Sequence, residues 1–115
     1  MTMQKPIEQW RMDLQATADY IKEHGWCQWT WSMDDGSVCL STAIQRVTGG
    51  SSDWSLPPGS EERRRAVRFH LHTYLMNRGI SMHILDFNDD PMRTKEEVIK
   101  ALEECAGIEE VVLCL

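Results

Sequence analysis

The sequence predicts a helix-dominated α+β domain of about four helices, with a short hairpin and one or two further short strands. Three observations predict it. Apolar residues recur at three- and four-residue intervals in four separate stretches, glycine-containing turns close each stretch, and between them lie one run of alternating aromatic and polar residues and one β-prone run. No internal repeat or heptad array is visible, and the helical stretches outweigh the strand-like ones.

The first helix is predicted over residues 7–24. Pro6 suits a first helical turn, and Ile7, Trp10, Leu14, Ala18 and Ile21 fall on one stripe until Gly25 closes it. Residues 26–38 differ in character. Aromatic and polar residues alternate through Trp29, Thr30, Trp31 and Ser32, and Asp34-Asp35-Gly36-Ser37 is turn chemistry, which predicts a hairpin. Helical spacing returns from residue 39 to 47 in Leu40, Ala43, Ile44 and Val47, and Gly49-Gly50 ends it. Residues 51–59 hold Pro57, Pro58 and Gly59 without periodicity and read as a loop anchored by Trp54 and Leu56.

Ser60 is the expected cap of a third helix, whose inward stripe is Val67, Leu71, Tyr74 and Leu75 and whose end is Asn77-Arg78-Gly79. Ile80, Met82 and Ile84, with Leu85 and Phe87, supply a strand-like run over residues 80–87. After Asp90-Pro91, Thr94 and Glu97 form a capping box for the last helix, with Val98, Leu102 and Cys105 on its buried side and Gly107 at its end. The tail, residues 108–115, is β-prone and needs a partner. It pairs either with residues 80–87 through a right-handed crossover or with the same segment of a second copy, giving a homodimer.

The 115 residues read as one domain, 1–115, able to bury a single core but without room for a separate catalytic module. No stretch approaches the roughly 18 apolar residues of a membrane span. Residues 1–11 also lack the order of a signal peptide, so a cytoplasmic location without membrane contact is expected. Cys27, Cys39, Cys105 and Cys114 are irregularly spaced, as suits reduced, mostly buried thiols. A net charge of -6 opposes sequence-independent nucleic-acid binding. Arg63, Arg64, Arg65 and Arg68 are diluted by Glu61 and Glu62 and read as a solvated, ion-paired helix face. An inhibitor that mimics nucleic acid is a third possibility and ranks last, because 18 acidic residues are offset by 12 basic ones with no long acidic run.

The order of Gly25-Trp26-Cys27-Gln28, Asp35-Gly36, Cys39 with Ala43-Ile44, and Asn88-Asp89-Asp90-Pro91-Met92-Arg93-Thr94 followed by Glu96-Glu97-Val98 carries a resemblance. It resembles a family of small uncharacterised proteins from actinobacteria and their bacteriophages, a domain of unknown function, over residues 14–106. The block from Asn88 to Thr94 is its most specific part. Phe87 stands where the family often has Trp, Thr42 where a Gly precedes the Ala-Ile pair, and the tail extends past the usual end. The resemblance implies a fold and a phage-associated setting, and neither a reaction nor a cofactor.

Several constellations admit chemistry. Cys39 at a helix N-terminus, with His70, His72, His83 and Asn88 elsewhere, has the residue types of a Cys-His-Asn hydrolase or transferase, against the simpler reading of Cys39 as a small core residue. A zinc site from Cys27 and Cys39 lacks close cysteine pairs, and His70 and His72, two apart on a helix, point about 200° apart. Asn88, Asp89 and Asp90 read as an Asx-type turn into the last helix. Trp26, Trp29, Trp31 and Trp54 crowd around a turn and a loop, and burying all of them in so small a domain is difficult. The functional expectation is therefore a non-enzymatic interaction module without catalytic, metal or cofactor residues, binding a host or phage protein through Trp29, Trp31 and Trp54. A cysteine enzyme using Cys39 is the alternative.

Overall fold

The computed structural model describes residues 7–49, 58–80 and 83–108. They form α1 (Gln9–His24), α2 (Leu40–Gly49), α3 (Ser60–Asn77), α4 (Ile84–Asp89) and α5 (Lys95–Ala106). Among the described residues there is no strand or sheet, so the architecture is all-α and the α+β expectation is corrected. Trp54, Leu56, Ser81, Met82 and the tail from residue 109 lie outside the described residues, and with them the expected loop anchors and both pairings of the tail.

α1 is the central element. It packs most extensively on α5 and also against α2 and α3. Its stripe places Leu14, Ala18 and Ile21 in the core with Leu40 and Ile44 of α2, Val67, Leu71 and Leu75 of α3, and Val98 and Leu102 of α5. Each large member contributes about 1.5–3 kcal/mol relative to an exposed position. α1 ends at Gly25, whose N–H donates to Ile21 O at 2.8 Å with φ 99°. A Cβ there would sit 3.1 Å from Ser37 Cβ, so both the backbone region and the approach of residue 37 require glycine. α5 begins with the expected capping box, Thr94 Oγ1 accepting from Glu97 N–H at 3.2 Å and Glu97 Oε1 accepting from Thr94 N–H at 3.1 Å.

Two local expectations fail for identifiable reasons. Residues 26–38 do turn at Asp34-Asp35-Gly36, with Gly36 N–H donating to Met33 O, but they build no ladder. Their isolated bridges, Trp26 to Val38 and Ser32 to Val38, both converge on Val38, so the loop wraps one residue. Trp29, at φ 67°, breaks the extended run. Residues 84–87, expected in a strand over 80–87, and Asn88-Asp89, expected in a turn, form the one-and-a-half-turn α4 instead. Ile84, Phe87 and Asn88 are buried at helical spacing, and His83 Nδ1 caps the turn by accepting from Leu85 N–H at 3.2 Å.

The charged run at the start of α3 is only partly a solvated face. Arg65 pairs with Glu61 on the surface, as expected. Arg63 crosses to α1, where Nη2 and Nε donate to Asp13 Oδ1 and Oδ2 at 2.7 and 3.1 Å and tie the buried Asp13 carboxylate down bidentately.

Candidate functional site

The motif residues of the loop after α1 and of α4 meet around Asn88, which is fully buried. Its Oδ1 accepts from Trp26 Nε1 at 2.7 Å and from Leu40 N–H, the first amide of α2, at 2.9 Å. Its Nδ2 donates to Cys27 O at 3.2 Å and to Asp89 Oδ1 at 2.9 Å. One amide thus fastens the loop, the start of α2 and α4 to one another, with its bonding capacity filled. Gln28 Nε2 donates to Asn88 O and Asp90 O, and Arg93 Nε to Phe87 O, so the terminal carbonyls of the short α4 are satisfied by side chains. The Arg93 guanidinium also lies 4.0 Å over the Phe87 ring.

This clamp presents the segment between its fixed points to solvent. Trp29 is held at φ 67° with its N–H donating to Asp89 Oδ1 at 2.9 Å, and its indole is 71% exposed. Trp31 and Met33 follow at 52% and 54%. Trp29, Thr30, Trp31, Cys39, Leu85 and Asp89 line a groove of about 260 Å³. Its floor is the N-terminus of α2 and the outer side of α4, both fixed by Asn88, so its apolar walls stand on a rigid base with one carboxylate at the edge.

The sulfur residues at this site are occupied by structure. Cys39 is buried at 2% exposure and precedes α2, where its Sγ accepts from Thr42 N–H and donates to Thr42 Oγ1, both at 3.4 Å. It acts as a helix cap. Cys27 Sγ donates to Thr30 O at 3.6 Å, and burial pushes its thiol pKa upward, with Ser37 opposing. Of the candidate partners of Cys39, His70 stacks flat on Trp10 with ring centroids 3.7 Å apart, and burial pushes its pKa down. His72 and His83 border a separate cavity, and the Asn88 side chain is consumed by the clamp. Among the described residues no group of three or more His, Cys, Asp or Glu converges as a metal cage. No described helix is long and apolar enough to cross a membrane.

Of the three tryptophans expected to form a surface, Trp29 and Trp31 share the groove, and Trp54 lies outside the described residues. Trp26 belongs to the clamp. Sequence reasoning missed Leu85 and Asp89 as groove residues, because Leu85 was expected in a strand and Asp89 in a turn, and no spacing rule brings either to residues 26–31. The one signal available was that both segments belong to the same recurrent pattern. The expected Asx turn does exist, but at Asp90, whose Oδ1 accepts from Met92 N–H at 2.9 Å, while Asn88 turns inward.

A model of a family of unknown function, DUF6197, matches residues 8–108. No curated protein and no solved structure matches the chain.

Proposed function

We propose, for a chain that belongs to this family of unknown function over residues 8–108, a non-enzymatic role: a cytoplasmic, phage-associated module that binds a host or phage protein through Trp29 and Trp31, with Trp54 as its third expected member. The phage setting and the identity of the partner class rest on the resemblance of the motif residues. The single observation that carries the interaction role is Trp29. A non-glycine residue in the left-handed region costs roughly 1–2 kcal/mol. An indole left in water also forgoes burial. The left-handed backbone brings the free protein one exposed hydrogen bond, Trp29 N–H to Asp89 Oδ1, and the indole brings it no burial, while strain of this kind concentrates where a ligand is clamped. Large amphipathic rings anchored on a rigid base are the side chains that dominate protein interfaces.

The test compares the chain with Trp29→Gly and, as a control at an apolar exposed position outside the groove, Met92→Ala. Each is immobilised at equal density and exposed to lysate of an actinobacterial host. The expected result is a protein retained by the wild type and by Met92→Ala and lost at least about tenfold with Trp29→Gly. Trp29→Gly relieves the left-handed strain at the cost of chain entropy, so its stability should match the wild type or exceed it by about 0.5 kcal/mol. Equal retention by wild type and Trp29→Gly, or no specific retention by the wild type, sinks the reading.

A further inference from the structure

On α3, Arg64, Arg68 and His72 follow at intervals of four and share one stripe. Arg64 and Arg68, two cations four apart, repel each other, and a negative charge between them is favoured. Arg63 finds one in Asp13 and Arg65 in Glu61. Among the described residues Arg68 pairs with no carboxylate. Its guanidinium is half-buried, and its Nη1 donates to the buried hydroxyl of Ser41 in the first turn of α2 at 2.9 Å. Burial pushes its pKa down, and the positive charge of Arg64 adds to the effect. An arginine removed from water without an anion is in an unfavourable state, and its planar fork is the geometry that binds carboxylate or phosphate.

Arg68 opens onto a cavity of about 200 Å³ lined with Phe69, His72, His83 and Ile84. The cavity is below the size of drug-binding clefts, about 300–1,000 Å³, and suits a small ionic group. His83 also lines the cavity, with its Nδ1 accepting from Leu85 N–H. His72 is exposed at the mouth, and Phe69, 65% exposed, forms an apolar wall. Asp86, one turn along α4, is exposed and does not line the cavity.

We propose that Arg68 and His72 form an anion site for the phosphate group of a small phosphate monoester, with Phe69 covering its organic part and His83 lining the same cavity. The site does not depend on the aromatic groove, since the two share no lining residue.

The test follows the imidazole proton resonances of the full chain during titration with phenyl phosphate, with inorganic phosphate, and with sodium chloride at matched ionic strength. Phenyl phosphate should shift the His72 and His83 resonances saturably and bind several-fold more tightly than inorganic phosphate, while chloride gives no saturable change. Arg68→Gln should weaken phenyl phosphate binding roughly tenfold or more. His72→Gln, at an exposed position that does not threaten folding, should weaken it several-fold. Non-saturable shifts indistinguishable from those in chloride overturn the site, as does wild-type affinity in Arg68→Gln. Should Arg68→Gln fail to fold, wild-type affinity in His72→Gln overturns it on its own. Equal affinity for the two phosphates overturns the monoester as ligand.

Discussion

Asn88 shows how much one side chain decides here. It accepts from an indole and a helix amide and donates to a backbone carbonyl and a carboxylate, all around a position without solvent exposure. Truncation leaves several of those partners unpaired in the interior, each worth about 1–3 kcal/mol. Asn88→Ala should therefore destabilise the domain by about 3 kcal/mol in urea unfolding. A loss below about 1 kcal/mol would mean that water replaces the amide and that the clamp is not what orders the loop. Asn88→Asp should not rescue it, because a second acceptor would then face Cys27 O and the Asp89 carboxylate. From sequence, Asn88-Asp89-Asp90 is legible as a turn before a helix, and Asp90 makes that turn. Nothing in the residue order distinguishes the asparagine that faces inward from the aspartates that do not.

Among the elements, α1, α2, α3 and α5 were each predictable because local chemistry and core packing agree on them. The start of α5 is the clearest case. Thr94 and Glu97 satisfy each other's backbone amides without help from the rest of the molecule. Thr94→Ala should cost about 1 kcal/mol of stability, read as a shift in the urea midpoint at unchanged slope. No change would show that water satisfies the freed amide equally well. α4 and the loop after α1 are the opposite case. Ile84-Leu85-Asp86-Phe87 has strand-like composition, yet Gln28 and Arg93 reach its last carbonyls and His83 caps its start. Those bonds come from across the chain, and they stabilise a helix too short to stand on its own propensity.

In the whole molecule, α5 is joined to α3 by a seam with a distinct response to alkali. The Tyr74 hydroxyl donates to Glu104 Oε2, and Cys105 Sγ donates to His70 O at 3.5 Å. Burial, with the Glu104 hydrogen bond second, pushes Tyr74 from 10.0 to about 12. Burial pushes Cys105 from 9.0 to about 11. In this range the unfolded chain has released protons that the folded chain still holds, so folding binds protons and stability falls as pH rises. The contribution is intact below pH 9.0 and is lost first between 9.0 and about 11, the interval set by Cys105. The melting temperature should decline through that interval, and Cys105→Ala should flatten the decline. An unchanged slope in Cys105→Ala would place the alkaline sensitivity elsewhere.

The sequence by itself determined four of the five helices, the stops at Gly25 and Gly107, the cap of Thr94 and Glu97 and most of the buried stripe, because periodicity, capping and glycine stops act over a few residues and are written in order along the chain. Ser60, expected to cap α3, instead lies inside it behind Gly59, with no side-chain cap bond. The sequence also indicated that Trp26, Trp29, Trp31 and Trp54 could not easily all be buried, and Trp29 and Trp31 are exposed. Tertiary structure alone decided that residues 26–38 form a wrapped loop, that residues 84–89 form a helix, that Leu85 and Asp89 complete the groove of the two tryptophans, and that Asn88 turns inward beneath it. Residues 26–31 and 84–90 are far apart in sequence. Their hydrogen bonds exist only after the helices have packed, and in a loop and a one-and-a-half-turn helix those distant bonds outweigh local preference.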